Sequence, residues 1–337
     1  MPSGAAWDPD DFPRLPAEVV DRDRLDRARE ILAPYGFETP LIQSAWLSAR
    51  CGRPVWLKLE NRQRTGSFKV RGALVRLSVL EGEARYRGVV AASAGNHALG
   101  VAFASRLLGV PALVVVPRSV AEVKLRALRE MMVKVRIEGA TYDEAEAYAR
   151  DIAKEAEATF VSPFDDPWVM AGNGGTVGLE VAEQLPGVGG VVVPVGGGGL
   201  ASGIAVALPG VPVLGVNSEA SPAMARSLAE GKVYRRWTPQ TQDGALTLAE
   251  GLEGGVSSAT VALCACYLWD MAVVREASIA EAIGEMARRE HVVLEGSAAV
   301  AVAALLEARA LPGEGPLVVV LTGRNVDKAR FKAILRG

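Results

Sequence analysis

A parallel α/β fold, laid out in two series of strands and helices, is what this 337-residue sequence predicts. Three observations carry that reading. Short apolar runs alternate with helical patterns along most of the chain, as in parallel strands joined by right-handed crossovers. Half of the residues are hydrophobic, which suits sheets covered on both faces. The 36 glycines exceed average usage of about 7%, and many fall at 172–178 and 187–203, in loops over strand ends where open α/β sheets hold ligands.

In chain order, the acidic, Pro-rich start MPSGAAWDPDDFPRLP reads as a disordered lead over Asp8–Pro16 and lacks the charged-then-apolar pattern of a signal peptide. Asp21–Leu32 follows as a charged helix that Glu38-Thr39-Pro40 ends. Val55–Leu59 alternates like a half-buried strand, and Gly72–Leu80 looks like the start of a helix. The first full series places strands at Gly88–Ala92, Ala112–Val116, Val133–Ile137 and Ala158–Val161, with helices at His97–Leu108, Val120–Met131 and Tyr142–Glu157. The second places strands at Val191–Val195, Val213–Val216 and Leu317–Leu321. Its helices are read at Gly174–Gln184, Leu200–Leu208, Pro222–Glu230, Ser258–Trp269, Ile279–Arg289 and Ser297–Ala310. No internal repeat or low-complexity linker interrupts them.

Composition removes several classes of function. Lys and Arg number 37 against 39 Asp and Glu, a net charge of −2, so no basic excess argues for nucleic acid and no polybasic segment for a membrane surface. No charge-free apolar run reaches the roughly 18 residues needed to span a bilayer. Three cysteines, Cys51, Cys264 and Cys266, have no metal-ligand spacing and suit a reducing cytoplasm. With only His97 and His291, a zinc site or a histidine-based triad has little material.

Chemistry concentrates at strand-to-helix junctions. Lys58–Ala73 reads KLENRQRTGSFKVRGA, with Lys69 among small residues between a strand and a helix. An amine in such a turn, facing a cavity, loses its proton more readily because burial and a positive helix end disfavour the ammonium, as a Schiff-base lysine requires. Alone, Lys69 reads more readily as a surface lysine after a turn. Val89–Gly100 (VVAASAGNHALG) and Val191–Gly203 (VVVPVGGGGLASG) each run from strand through small residues into a helix, presenting backbone N–H groups to an anion. Gly196, Gly197, Gly198 and Gly199 leave no Cβ between backbone and phosphate. Read alone, Gly196-x-Gly198-x-x-Ala201 also fits a dinucleotide loop with Glu219 on a ribose, the mark of a nicotinamide-dependent oxidoreductase.

Taken in order, KLENRQRTGSFKVRGA, ASAGNHALGVA, PFDDPWVMAGNGGTVGLE, VPVGGGGLASG and VVVLTGRNVD resemble the fold-type II pyridoxal-phosphate enzymes, most closely their threonine dehydratase and serine racemase branch. The resemblance spans Thr39 to Asp327 and leaves the dinucleotide reading without an account of GSFKVRGA and SAGNH. It implies a tryptophan synthase β-like fold: two parallel-sheet α/β domains with the site in the cleft between them. A large discontinuous domain would comprise 1–81 and 166–337, with a small domain, 82–165, inserted and no C-terminal regulatory domain. By the same resemblance Lys69 carries pyridoxal 5'-phosphate and moves the substrate's α-proton. Phe68 packs on the cofactor ring, though a core phenylalanine fits as well. Gly196–Gly199 with Leu200 hold the phosphate, Asn96 meets the phenolic oxygen, Thr322 the pyridine nitrogen, and Gly251 the other ring face. Ser93, Ala94, Gly95, Asn96 and His97 take the substrate carboxylate, with His97 orienting the loop. No role follows for Glu295.

Departures from the family pattern sharpen the expectation. Ala94 stands where serine racemases carry the serine that handles the second-face proton, so elimination is favoured over inversion. Asn217, Ser221 and Ala223 lack the carboxylates of the metal-binding members, and no metal is expected. Arg324 replaces a usual glycine and reads either as a contact for a second acidic group of the substrate or as an internal partner. The expected activity is dehydration and deamination of a β-hydroxy amino acid, L-threonine or L-serine foremost, by a cytoplasmic homodimer or dimer-based assembly. β-Replacement and racemisation are the alternatives within the fold.

Overall fold

The computed structural model describes residues 19–241, 244–309 and 311–336; the lead expected at Asp8–Pro16 lies outside them. Its strands are β1 (Leu41–Gln43), β2 (Val55–Lys58), β3 (Val89–Ala92), β4 (Ala112–Val116), β5 (Lys134–Ile137), β6 (Thr159–Phe160), β7 (Gly190–Pro194), β8 (Val213–Ser218), β9 (Asp270–Val274) and β10 (Leu317–Val320). They form two sheets, one six-stranded in the order β1-β2-β10-β7-β8-β9 and one four-stranded in the order β5-β4-β3-β6. Every pairing is parallel except β1 with β2.

Burial explains the composition of the strands. β7 (GVVVP), β8 (VLGVNS) and β10 (LVVV) are covered along their whole length, so β7, β10 and the first four residues of β8 read as continuous apolar runs without alternation. β5 (KVRI) lies at an edge and carries Lys134 and Arg136, charges that discourage pairing with another sheet. Both predicted series are present, their ends shifted by a few residues. Two strands were not foreseen. β1 has only three residues, too few to show a period. β9 follows the helix Ser258–Tyr267 almost directly, so the two merge into one apolar stretch. The helices Ala45–Cys51, Gly82–Arg87 and Lys328–Arg336 were also unforeseen. Among the described residues no helix is long and apolar enough to cross a membrane.

One local expectation needs correction. The helix near Lys69 begins at Lys69 itself and runs to Ser78, three residues earlier than Gly72 suggested. Gly72 serves helix packing, not helix initiation. A Cβ there would lie 2.6 Å from the Val169 carbonyl oxygen and 2.7 Å from the Asn173 side chain, and one on Gly172 would lie 2.8 Å from the Gly72 Cα. The two backbones therefore cross at a glycine pair. The chain around Gly172 forms one wide π-helical turn, Ala171–Gly175, and Asn173 Oδ1 accepts the Gly72 N–H at 2.8 Å, occupying a donor in the first turn of the lysine helix.

Arg71, two residues beyond Lys69, is fully buried with all five donors used. Nε and Nη2 donate to the two Glu60 oxygens at 2.8 Å each, Nη1 and Nη2 to the two Glu180 oxygens at 2.5 and 2.9 Å, and Nη1 to Thr176 Oγ1 at 3.2 Å. Lys58 Nζ completes the cluster by donating to Glu180 Oε2 at 2.5 Å, Thr39 O at 2.8 Å and Gln184 Oε1 at 2.9 Å. Burial alone would raise the Glu60 carboxyl, but Arg71 outweighs it and holds Glu60 below the ordinary range. Burial lowers Lys58 despite Glu180. The cluster joins β2, the turn Glu60–Arg62, the lysine helix and the helix Thr176–Gln184.

Removing one member of a buried charge network leaves the others unpaired. Arg71→Met is expected to lower unfolding stability in urea by about 3–5 kcal/mol, with Arg71→Lys intermediate because it loses the bidentate geometry. A loss below about 1 kcal/mol for the methionine variant would show that the network does not hold the helix.

Candidate active site

Lys69 opens its helix at the C-terminal edge of the large sheet, and its position is fixed from two sides. Behind it, the GSF turn is tied to the segment after β10. Ser67 pairs with Gly323 in an isolated antiparallel bridge, the Phe68 N–H donates to Thr322 O at 3.1 Å, and the Arg324 N–H donates to Gly66 O at 2.9 Å. Gly66 has φ +77°, and a Cβ there would meet the Asn325 side chain, so only glycine fits. In front, Lys69 Nζ donates to Pro163 O at 2.7 Å and lies 5.1 Å from the centre of the Phe68 ring. Burial lowers the Lys69 amine to about 8, with Glu295 opposing the shift.

Phe164, next along the chain from the carbonyl that holds Lys69, lies against the glycine loop. A Cβ on Gly197 would strike its ring and one on Gly199 its carbonyl. Gly198 has φ +95° and precedes the helix Gly199–Ala207, whose first N–H groups have no carbonyl one turn back to receive them. On its other side the loop meets Gly251–Leu252, since a Cβ on Gly196 would lie 3.1 Å from the Leu252 Cα. Gly251 N–H donates to Ser297 Oγ at 2.8 Å. Leu200 is buried in the first turn of the helix.

The SAGNH segment closes the group. Ser93 Oγ accepts the Gly95 N–H at 3.1 Å, forming the turn that starts the helix Asn96–Leu108. Ala94 packs on the core of the small sheet, while a Cβ on Gly95 would meet nothing within 4 Å, so this face is open. His97 is buried, with Nε2 2.9 Å from Val161 O. Because a carbonyl only accepts, the proton sits on Nε2. Burial and then the Lys69 charge hold His97 down to about 3, so it is neutral and links this helix to the strand end before Pro163. Asn96 Nδ2 donates to Glu295 Oε1 at 2.7 Å.

The predicted residues therefore lie in one chain of contacts: Lys69 to Pro163-Phe164, then the glycine loop, Gly251, Ser297, and through Glu295 to Asn96. Thr322 is buried at the end of β10, beside Phe68. Arg324 is exposed. Asn217 sits below the loop, donating to Val195 O at 2.7 Å and accepting the Ala225 N–H at 3.0 Å. Glu219 Oε1 accepts the Glu276 N–H at 2.9 Å, an occupation that argues against a ribose-binding role. Sequence reasoning missed Pro163, Phe164 and Asn325. The first two act by a backbone carbonyl and by contact with glycines, for which residue type gives no signal; Asn325 lay within VVVLTGRNVD with no visible partner.

The residues from 32 to 323 match the model of a family described as pyridoxal-phosphate dependent enzymes. The chain is 42% identical over 314 residues to the L-threonine ammonia-lyase of Thermotoga maritima, covering 92% of this chain and 76% of that protein. Among solved structures, maize serine racemase superposes with a TM-score of 0.86 at 29% identity, covering 94% of this chain and 97% of that one. The processed form of threonine deaminase isoform 2 from Solanum lycopersicum gives 0.81 at 32% identity, over 94% of each chain.

An amine with this environment has a measurable signature before any ligand is added. Amine-selective labelling of the apoprotein across pH, read by peptide mapping, is expected to give Lys69 a midpoint near 8. A midpoint at the ordinary lysine value, about 10.4, would show that the site does not desolvate it.

Proposed function

We propose that this chain, which belongs to the family of pyridoxal-phosphate dependent enzymes, converts L-threonine or L-serine to a 2-oxo acid and ammonia. The carrying observation is the Pro163-Phe164 dipeptide, which spans from the lowered amine of Lys69 to the glycines of the anion cradle. An amine that can be unprotonated near neutrality and a Cβ-free loop at a helix N-terminus suit the two ends of pyridoxal phosphate, its aldehyde and its phosphate. The relatives at 36–43% identity bear names for this reaction.

Bound pyridoxal phosphate supplies a carbonyl that captures the substrate amine and a ring that accepts the electron pair left at the α-carbon. Gly196–Gly199 and Leu200 bind its phosphate through backbone N–H groups, and Phe68 and Gly251 border its ring. Thr322 offers a hydroxyl to the ring nitrogen. A hydroxyl, unlike a carboxylate, does not hold that nitrogen protonated, which favours rapid loss of the β-hydroxyl. Asn96 donates to the ring oxygen, and the N–H groups that open the helix Asn96–Leu108 receive the substrate carboxylate. Lys69 Nζ takes the α-proton. Ala94, with no proton to give, leaves the opposite face without an acid, so the substrate is eliminated and not inverted.

This reading also takes the two sheets as cores of two domains, 1–81 with 166–337 and the inserted 82–165. Its support is that β3 to β6 form a sheet of their own. A cytoplasmic setting accords with three free cysteines, and a homodimer is the commonest assembly for such a chain. β-Replacement would require an added nucleophile for turnover.

The reconstituted enzyme is expected to release ammonia and oxo acid from L-threonine or L-serine alone. Lys69→Ala is expected to lose the visible absorbance of the bound cofactor and to slow release by about 10²–10⁴-fold. Recovered substrate should keep its chirality. Turnover only with an added thiol or sulfide, or full activity in Lys69→Ala, would refute the assignment.

A further inference from the structure

We infer that Glu295 is a positioning residue for Asn96: a closed ring of hydrogen bonds through Glu295 and Asn325 sets the Asn96 amide so that its remaining N–H is the group offered to the cofactor's ring oxygen. The inference deepens the proposed function and rests on the place given there to Asn96.

The direction of each amide follows from its neighbours. Thr65 O can only accept, and Asn325 Nδ2 donates to it at 2.8 Å. The second hydrogen of that nitrogen goes to Asn96 Oδ1 at 2.7 Å, so the Asn325 amide has both N–H groups engaged. Asn96 must then turn its nitrogen the other way, where Glu295 Oε1 accepts from it at 2.7 Å. The remaining carboxylate oxygen, Oε2, accepts the Asn325 backbone N–H at 3.1 Å and closes the ring. Acceptor-only groups thus stand at both ends: inverting Asn325 would set its oxygen against Thr65 O and Asn96 Oδ1, and inverting Asn96 would set its oxygen against Glu295 and its nitrogen against the Asn325 nitrogen. One N–H of Asn96 has no partner among the described residues.

Glu295 has little room to do otherwise. Its backbone N–H donates to Gly323 O at 3.1 Å, and a Cβ on residue 323 would lie 2.5 Å from Oε1. Glycine at 323 therefore makes space for the carboxylate and, through Thr322 and Ser67, ties it to the lysine turn. The charged groups around Glu295 are Lys69 from its helix, Lys124 from the helix Glu122–Glu130 and Glu250 from the turn Glu250–Leu252. Burial raises the Glu295 carboxyl to about 7 against the pull of the Asn96 and Asn325 donors. Protonation places a hydrogen on an oxygen that must accept, so the ring opens as pH falls through that value, and Asn96 loses its imposed direction.

The test uses the cofactor-loaded enzyme. In Glu295→Gln the new amide must face one N–H with its own, so kcat is expected to fall about 10- to 100-fold while KM stays within about threefold. The pH titration of the cofactor's visible band, centred near 7 in the parent, should vanish in Glu295→Gln and return in part in Glu295→Asp, which keeps an acceptor-only group. Asn325→Ala opens the same ring from its exposed end by removing the donor to Asn96 Oδ1 while leaving the Glu295 carboxylate, so it should lower kcat, keep the spectral titration and leave the melting temperature unaltered. If Glu295→Gln fails to load cofactor, Asn325→Ala and Glu295→Asp decide: a parent-like kcat in both would overturn the inference. A coloured Glu295→Gln enzyme with the parent's pH titration and kcat overturns it outright. A parent that acquires no colour would overturn the cofactor reading, and the inference with it.

Discussion

The buried cluster of Lys58, Glu60, Arg71 and Glu180 is the constraint on which the site depends. Each ion taken out of water costs several kcal/mol, and only complete pairing offsets that. Here two cations and two carboxylates balance, and every donor of Arg71 and Lys58 has an acceptor. Such a cluster tolerates one arrangement of the elements that supply it. Arg71 follows Lys69 by two residues, about 200° round an α-helix. Anchoring the guanidinium in the core therefore aims Lys69 out of the opposite side, toward Pro163. A site lysine that must reach one point in a cleft is held by the most immobile side chain of its own helix.

The second side of the constraint is covalently remote. Ser67, Phe68 and Gly66 bond to Gly323, Thr322 and Arg324, roughly 250 residues further along the chain. β2 and β10 are neighbours in parallel register, so the turns leaving both strands emerge at the same edge of the sheet and can pair. The glycine loop leaves β7, the next strand in that order. Lysine turn, cradle and final motif thus converge because three adjacent parallel strands all point their C-terminal ends at one crevice.

This also explains how much could be read from sequence. Strand-end motifs were legible because their chemistry is local: glycines where backbone must approach a ligand, small residues before a helix. The parallel architecture was legible from apolar runs such as Val191–Val195. Arg71 was not, because an arginine in a helical pattern reads as a solvent face until Glu60 and Glu180 converge on it from 11 and 109 residues away. Glu295 had no role for the same reason; its partners Asn96 and Asn325 lie 199 and 30 residues away. Gly72 misled locally, its small size serving a helix crossing and not a helix start. β9 was hidden by an apolar stretch that periodicity could not divide.

The electrostatics of the cleft bear on which reaction it favours. His97, held neutral by burial, takes no part in proton exchange near pH 7 despite its place in the SAGNH segment. Lys69 at about 8 and Glu295 at about 7 can exchange protons there, yet Glu295 is bound on both oxygens within the protein. In the proposed reading Lys69 is thus the mobile acid–base on one side of the substrate, while Ala94 offers no hydroxyl on the other. A single base on a single face can remove a proton and let a β-substituent depart, but it cannot return a proton to the opposite face. On that reading the asymmetry of the cleft, more than any one residue, favours a lyase over a racemase on a shared fold.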